Sequence, residues 1–261
     1  MKIYLAKADT IADYSDMAYA KLTNYRKKKT DKLHVELARL TSITAGLLLN
    51  YATKDYLNAG SDEDFGIDSS SVAAADFEAT NALKASAGLG AIFQANTAFL
   101  ESSITEISSD ELFDAYDPAY DFEIEELGQG KPVFKERTDL YFNISHTANI
   151  VVVVMARKPI GIDIDGNRNF SDRMIDKFYS KKEAQWVYGN ELRKSDRFFN
   201  IWTMKEAFSK MRGDGIARTI LNVEFLHDTD QVECIFNGEK QDVLIEEQEY
   251  YGYKIAVIRE A

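Results

Sequence analysis

Two aspartates that lie two residues apart could bind a metal ion. Asp163 and Asp165 end the run Ile-Gly-Ile-Asp-Ile-Asp, whose apolar residues alternate as they do in a β-strand. Side chains two apart on a strand point to the same face, so the two carboxylates would repel each other unless a cation lay between them. The pattern therefore indicates a metal site. The alternative is a strand that ends in an Asp-Gly-Asn turn, with both aspartates solvated or capping that turn.

A third carboxylate lies on a helix that we predict over residues 196–211. Glu206 and Lys210 are four residues apart and share one face of this helix, while apolar residues form another face. They are either a surface ion pair worth a few tenths of a kcal/mol or the neighbours of the two aspartates at a phosphate-bearing substrate. Three acidic oxygen donors near lysines suit Mg²⁺, and Mn²⁺ accepts the same ligands.

Three further positions could bind an anion. Ser145 and His146 precede an apolar strand and offer a hydroxyl and an imidazole to a phosphate. Arg26 and Lys29 lie three residues apart on a predicted helix, so they could contact one phosphate together. The alternative for this pair is a solvated basic face. Lys131 lies in a Gly-Lys-Pro turn, where its ammonium group and the backbone can both face an anion.

Several other chemistries lack the residues that they require. The sequence contains no Walker motif, no dinucleotide-binding fingerprint and no Gly-x-Ser-x-Gly nucleophile elbow. Because Cys234 is the one cysteine, an internal disulfide is excluded. Cys234 and three scattered histidines do not have the spacing of zinc ligands. We find no secretory signal and no apolar run long enough to span a bilayer. We therefore expect a cytoplasmic protein without a membrane partner.

The acidic residues are concentrated in one segment. The chain of 261 residues has a net charge of −12, but residues 58–127 contain sixteen acidic residues and one lysine, Lys84. The remainder is therefore weakly basic, and a phosphate-rich small molecule is compatible with it. We expect no nucleic-acid partner.

The order of predicted elements indicates an α+β protein. A strand at residues 2–6 precedes a region with helical spacing, residues 17–56, and three strands follow at 140–144, 150–156 and 159–165. Helices and then strands recur towards the C-terminus, so we predict two similar halves, 1–158 and 159–261. The second and third strands could form a hairpin or belong to different halves. Residues 58–120 are predicted to be an insertion, with a weak amphipathic helix from Val72 to Leu100.

Five motifs, in their order along the chain, resemble those of the surfactin-type 4′-phosphopantetheinyl transferases. They are Gly-Lys-Pro at 130–132, Phe-Asn-Ile-Ser-His-Thr at 142–147, Ile-Gly-Ile-Asp-Ile-Asp at 160–165, Phe-Tyr-Ser-Lys-Lys-Glu at 178–183 and Trp-x-x-Lys-Glu-Ala-Phe-x-Lys at 202–210. Each motif is modest by itself, whereas five in the family order are specific. The resemblance implies two similar α+β halves with the active site in the cleft between them.

The resemblance also implies an activity. Such an enzyme transfers the phosphopantetheine arm of coenzyme A to a serine of an apo acyl, peptidyl or aryl carrier protein and releases adenosine 3′,5′-bisphosphate. Its Mg²⁺ would be bound by Asp163, Asp165 and Glu206. Glu206 is also the expected general base, and Lys210 would stabilise charge on the leaving phosphate. Glu183 is expected to support these residues. Lys205 would assist Lys210, and both are expected to contact coenzyme A. The residues expected at its nucleotide end are Arg26, Lys29, Ser42, Lys131, Ser145 and His146.

Three departures from the family pattern leave alternatives open. Asp165 replaces the usual glutamate, Thr41 replaces an arginine of the first long helix, and residues 58–120 make the connection to the Gly-Lys-Pro turn longer than usual. The alternatives are a non-catalytic relative that binds coenzyme A or a carrier protein, and another Mg²⁺-dependent phosphoryl-transfer enzyme. The sequence does not distinguish fatty-acid, polyketide and nonribosomal-peptide carriers. Because the cleft of a two-half protein needs no second chain, we expect a monomer.

Overall fold

A computed structural model describes residues 1–59, 104–166, 168–227 and 232–261. In these residues strands and helices are mixed along the chain, so the predicted α+β class is confirmed. The helix predicted from Val72 to Leu100 lies outside the described residues. Within them, no helix combines the length and the apolar character that a membrane span requires.

The N-terminal part contains six strands and four helices among the described residues. In chain order they are β1 (Lys2–Lys7), α1 (Ser15–Lys21), α2 (Asn24–Thr30), α3 (Glu36–Asn58), β2 (Ile104–Glu106), α4 (Ser109–Asp114), β3 (Ile124–Leu127), β4 (Lys131–Phe134), β5 (Tyr141–Thr147) and β6 (Ile150–Ala156). The region with helical spacing is thus divided among three helices. Helix α2 begins after Thr23. The Thr23 side chain caps this helix, since it accepts a hydrogen bond from the backbone N–H of Arg26.

The C-terminal part contains six strands and four helices in its described residues. They are β7 (Ile160–Gly166), α5 (Asp172–Phe178), α6 (Lys181–Tyr188), α7 (Lys194–Arg212), α8 (Ile216–Thr219), β8 (Val223–His227), β9 (Val232–Phe236), β10 (Glu239–Lys240), β11 (Val243–Tyr250) and β12 (Tyr253–Glu260). The helices predicted here are confirmed, whereas β11 was missed. Its run of Glu and Gln in Val-Leu-Ile-Glu-Glu-Gln-Glu-Tyr hid a strand whose pairing with β12 is continuous.

The strands at 150–156 and 160–166, which the sequence could not assign to a hairpin or to different halves, lie in two different main sheets. One has the order β2-β1-β6-β5 and the other β11-β12-β7, while β10-β9-β8 and β3-β4 form small sheets. Strand β6 pairs with β1 and β5, and β7 pairs with β12. The strands at 150–156 and 160–166 are therefore not a hairpin. They carry the chain from one main sheet to the other.

The described residues have three apolar clusters in layers. Helix α3 packs on one face of the N-terminal sheet, where Leu47, Leu48 and Met155 are fully buried. Isoleucines and valines of both main sheets form a second cluster, which includes residues of β1, β6, β7 and β12. Helix α7 covers the opposite face of the C-terminal sheet. Each main sheet therefore lies between a long helix and the other sheet.

Part of the predicted insertion belongs to the N-terminal core. Ile104 on β2 pairs in parallel with Ile3, and Leu112 on α4 is fully buried. The side chain of Asn50 donates hydrogen bonds to the backbone oxygen of Asp117 at 2.9 Å and to a carboxylate oxygen of Asp121 at 2.8 Å. Residues 104–120 of the predicted insertion 58–120 therefore pack on the N-terminal core, because isolated apolar residues among many acidic ones are enough to bind this segment to α3.

Helix α7 approaches strand β7 closely at Gly161. A Cβ atom there would lie 2.6 Å from the backbone nitrogen of Met211 and still closer to the carbonyl oxygen of Ala207. Both atoms belong to the backbone of a long helix, so a flexible side chain cannot make room by rotating away. Only a glycine at this position allows α7 to lie at its observed distance from β7, and that distance sets the height of the α7 side chains above the strand.

Replacement of Gly161 by alanine should therefore be strongly destabilising. We expect a loss of about 3 kcal/mol in the free energy of unfolding, because the new methyl group forces the helix backbone away from the sheet. Urea unfolding followed by circular dichroism measures it. Gly238→Ala is the control: its Cβ would meet open space, and only its positive φ of 82° should cost about 1 kcal/mol. Equal losses in both variants would contradict the close-approach explanation.

Candidate functional site

Asp163 lies at the centre of a buried polar triangle. Its side chain faces α7 from β7, and one of its oxygens, Oδ1, accepts hydrogen bonds from the ammonium group of Lys210 and from the hydroxyl of Ser145, both at 2.6 Å. Lys210 also donates to the Ser145 oxygen at 2.8 Å. The local ion pair considered for Glu206 and Lys210 is therefore replaced by a pair between α7 and β7. No described residue bonds the second oxygen of Asp163.

Strand β5 binds the backbone of β7 through side chains. The Asn143 side-chain oxygen accepts a hydrogen bond from the backbone N–H of Ile162 at 3.1 Å, and the Ser145 oxygen accepts one from Ile164 at 3.4 Å. These bonds connect the two main sheets where no backbone ladder joins them. Ser145 is thereby buried between the sheets, and it is not among the residues that line the large cavity described below, although the sequence had indicated a phosphate contact for it.

Asp165 has a different set of partners from Asp163. Its Oδ1 accepts a hydrogen bond from the backbone N–H of Gly166 at 2.8 Å and from Nε of Arg168 at 2.9 Å. Its Oδ2 accepts from the same Nε at 3.1 Å and from a terminal nitrogen of Arg168. Both oxygens are thus occupied by protein donors, and the pair is the two-point arrangement that guanidinium and carboxylate groups favour.

Glu206 is half-buried beside these carboxylates. Burial, and after it the negative charge of Asp163, raises the pKa of Glu206 to about 7, although the positive charge of Lys210 opposes the shift. No described residue forms a hydrogen bond or ion pair with its carboxylate. Among the described residues, no group of three His, Cys, Asp or Glu side chains is placed to hold a metal ion. The available donors that fit a hard divalent cation are therefore two, the free oxygen of Asp163 and the Glu206 carboxylate.

A cationic cleft of about 910 Å³ opens beside this triangle. Its walls come from α2, α3, the β3–β4 turn, β5 and the C-terminal end of α7. The positive side chains that line it are Arg26, Lys29, Lys32, Lys131 and Lys210. Within the described part of the chain, none of the residues that line it is an aspartate or a glutamate. In a chain with a net charge of −12, five cations around one cavity indicate an anionic ligand.

Most of the residues predicted to bind an anion lie in this cleft. Ser42 lines it and shares a hydrogen bond of 2.7 Å with the hydroxyl of Thr30. His146 also lines it, and burial followed by the charge of Lys210 lowers its pKa. Lys131 donates a hydrogen bond to the backbone oxygen of Met211, so it also caps the end of α7. Arg26 and Lys29 face the same cavity, which favours the phosphate-binding interpretation of the basic run over the solvated face.

The sequence missed two cations near the site. Lys32 lines the cleft, but α2 ends at Thr30, so helical spacing could not assign Lys32 to the face that holds Lys29. Arg168 was missed because its position depends on the path of the chain after β7. Its three-residue separation from Asp165 was the one available signal.

Lys205 lies on the other side of α7 from the cleft. Its side chain is 1% exposed and forms an ion pair of 3.0 Å with Glu183, whose side chain is fully buried. Lys205 also donates hydrogen bonds to the backbone oxygens of Val223 and Ile220. Glu183 accepts hydrogen bonds from the backbone N–H groups of Ser180 and Phe225. The expectation that Lys205 assists Lys210 in contacting coenzyme A is therefore corrected, because its ammonium group is already bonded inside the C-terminal core.

The comparisons with known proteins find similarity to one family. Residues 159–258 match the family model described as the 4′-phosphopantetheinyl transferase superfamily. The chain is 32% identical over 131 residues to the 4′-phosphopantetheinyl transferase Sfp of Bacillus subtilis (strain 168). The matched region is 49% of this chain and 58% of that protein. The chain is 36% identical over 91 residues to the 4′-phosphopantetheinyl transferase psf-1 of Bacillus pumilus, with 34% of this chain and 39% of that protein covered.

These matches confirm the predicted resemblance to the 4′-phosphopantetheinyl transferases, and the family model covers the C-terminal part of the chain. The chain spans little more than half of the length of the first relative and less than half of the second. A solved structure, Thermotoga maritima holo-[acyl-carrier-protein] synthase, is similar at a TM-score of 0.33 and 16% identity, over 40% of this chain and 64% of that one.

The buried pair of Glu183 and Lys205 predicts a large effect on stability. Glu183→Gln leaves the Lys205 charge buried without its counter-charge, so we expect a loss of about 3–5 kcal/mol in the free energy of unfolding. Chemical denaturation measures this. The control is Glu233→Gln in the exposed pair with Lys240, which should lose less than about 1 kcal/mol. A small loss in Glu183→Gln would show that water reaches the pair.

Proposed function

We propose that this protein is a 4′-phosphopantetheinyl transferase that moves the phosphopantetheine arm of coenzyme A to a serine of an apo carrier protein. One observation carries the proposal: a cleft with five cations meets, at Lys210, the buried Asp163 carboxylate of a segment that matches the superfamily. A small molecule with several phosphates fits the cleft, and the acidic pair fits the reacting end of such a molecule.

We propose further that the chain consists of two similar halves, 1–158 and 159–261, with the active site in the cleft between them. In support, α3 packs on β1 and β6 in one half, and α7 packs on β7 and β12 in the other. Residues of both halves line the cleft, with Arg26 and His146 from the first and Lys210 from the second.

In this proposal the cleft binds the nucleotide end and the pyrophosphate of coenzyme A. Arg26, Lys29 and Lys32 come from the N-terminal helices and their connection, so they would neutralise the phosphate of the nucleotide. His146, whose pKa is lowered, would donate a hydrogen bond to it. Lys131 would contact the phosphates next to the end of α7. Lys205 and Ser145 have no such role here, since both are buried among protein partners.

We propose that Asp163 and Glu206 hold Mg²⁺, or Mn²⁺, against the pyrophosphate. The bound ion would neutralise phosphate charge and polarise the phosphorus. The role of this chain is to present the two carboxylates in a fixed position. Ser145 and Lys210 bind one oxygen of Asp163, and no described residue bonds the other.

The transfer step then uses two side chains on one face of α7. The hydroxyl oxygen of the carrier serine attacks the phosphorus, and its proton passes to Glu206, directly or through a water molecule. The bond between this phosphorus and the bridging oxygen of adenosine 3′,5′-bisphosphate breaks. Lys210 stabilises the charge that develops on the departing phosphate. The four-residue spacing of Glu206 and Lys210 places both next to the same reacting group.

The proposed macromolecular partner is an acyl, peptidyl or aryl carrier protein, which one copy of the chain would bind. Nucleic acids and membranes are not part of the proposal. Cys234 is buried and unpaired, in agreement with the reducing cytoplasm that we propose as the location.

Two lysines of the cleft should be important for coenzyme A affinity. We expect Lys29→Gln and Lys32→Gln each to weaken binding about tenfold, since each removes a charge-assisted contact to a phosphate. Isothermal titration calorimetry with coenzyme A measures this. Lys28→Gln is the matched control, because Lys28 belongs to the same basic run but does not line the cleft. Similar losses at all three positions would indicate a long-range charge effect without phosphate contacts.

The transfer itself is tested with coenzyme A, Mg²⁺ and a panel of apo carrier proteins, and the intact mass of each carrier is measured. We expect one phosphopantetheine arm to be added, and a chelator to prevent it. Glu206→Gln should lose transfer by at least about a hundredfold while retaining part of its affinity for coenzyme A. Glu191→Gln, an exposed glutamate, should transfer normally.

Two results would contradict this proposal. If Glu206→Gln transferred at the rate of the unaltered chain, both roles of Glu206 would be wrong. If coenzyme A bound and every carrier remained unmodified, the protein would be a binding relative without transferase activity.

A further inference from the structure

The two aspartates of β7 differ in what their oxygens bind. Asp163 has one oxygen bonded to Lys210 and Ser145, while no described residue bonds its other oxygen. Asp165 has both oxygens bonded to Arg168, and one of them also accepts the backbone N–H of Gly166. A divalent cation needs a free carboxylate oxygen, so Asp163 can bind a cation as it stands, whereas Asp165 would first have to release Arg168.

Arg168 is held in place from a second direction. Its guanidinium group lies 5.4 Å from the centre of the Phe199 ring, a distance typical of a cation–π contact. Phe199 is buried, with its ring against Phe170 at 5.9 Å and Phe198 at 5.0 Å. The aromatic cluster therefore fixes the plane on which Arg168 lies, and the bond to Asp165 fixes its direction.

We propose that Asp165 does not ligate a divalent cation in this protein but positions Arg168, and that Asp163 and Glu206 are the two protein ligands. This rests on the metal-dependent function proposed above and goes beyond it, because it assigns the third carboxylate a different role. Asp165 and Arg168 form a neutral pair, so the field that attracts the cation comes from Asp163 and Glu206, partly offset by Lys210. Magnesium is commonly held by one or two carboxylates together with substrate phosphates, and this arrangement supplies such a set.

A cycle of variants tests the assignment through Mn²⁺ affinity, with Mn²⁺ as the probe. Electron paramagnetic resonance of free Mn²⁺ gives the affinity of the full chain without any turnover. The double variant Asp165→Asn with Arg168→Gln removes the pair without changing the net charge, and we expect its Mn²⁺ affinity to remain within about threefold of the unaltered chain. Asp163→Asn should weaken Mn²⁺ binding by at least about 30-fold.

Arg168→Gln alone supplies a second measurement in a variant that should fold, since 42% of the Arg168 side chain is exposed. It frees the Asp165 carboxylate, so we expect Mn²⁺ to bind about tenfold more tightly. The matched control is the double variant Asp139→Asn with Arg137→Gln. That exposed pair has the same two-point geometry, with distances of 2.9 and 3.0 Å, and should leave Mn²⁺ affinity unchanged.

Three results would overturn the inference. They are a loss in the Asp165/Arg168 double variant as large as that in Asp163→Asn, a weaker or unchanged affinity in Arg168→Gln, and no Mn²⁺ binding by the unaltered chain with or without coenzyme A. The outcome is independent of the transfer assay. If the expected Mn²⁺ pattern is found but no carrier is modified, the proposed function fails and the assignment of the ligands stands.

Discussion

The close approach of α7 to β7 at Gly161 is the constraint on which the site depends. A side chain there would overlap the backbone of Ala207 and Met211, so the helix and the strand could not keep their distance. At that distance Lys210 reaches Asp163 across 2.6 Å. A helix lifted by the width of a methyl group would leave a buried carboxylate without its cation, which is a costly arrangement in a protein interior. Packing and electrostatics are therefore coupled at one glycine.

Two consecutive residues of α7 point in different directions and meet different partners. Lys205 is bonded to Glu183 in the C-terminal core, and the next residue, Glu206, is half-buried beside Asp163. Because neighbouring side chains on a helix point about 100° apart, fixing Lys205 also limits rotation of the turn that carries Glu206. The buried pair thus contributes to the geometry of the site without lying in it. Its cost of desolvation is offset by the backbone donors and acceptors around both charges.

Acidic and basic residues are concentrated in different parts of the molecule. Much of the negative charge lies in residues 58–127, whereas, of the residues that the structure describes, five cations and no carboxylate line the cleft. Lys210 belongs to both the cleft and the buried triangle, so it joins the anion-binding surface to the acidic pair. Ser145 binds Asp163, Lys210 and the backbone of β7, and through it the strand that leads to His146 is fixed to the C-terminal sheet.

The sequence by itself determined the elements and most of the chemistry. Alternation identified β7 and its two aspartates, and helical spacing identified α7, because each of these patterns is local. For the basic run, local spacing left both a phosphate site and a solvated face open. Only the tertiary structure decided which charges meet. Lys210 pairs with Asp163, 47 residues away, and Lys205 is buried against Glu183, which no spacing rule could indicate.

The tertiary structure also separated two aspartates that look alike in the sequence. They share a strand face, so their spacing predicts the same role for both. The chain after β7 brings Arg168 to Asp165, and α7 brings Lys210 to Asp163. Which cation a carboxylate meets depends on how distant segments pack, and packing at Gly161 and Phe199 is a property of the whole fold. The sequence therefore determined which groups are present, and the fold determined their partners.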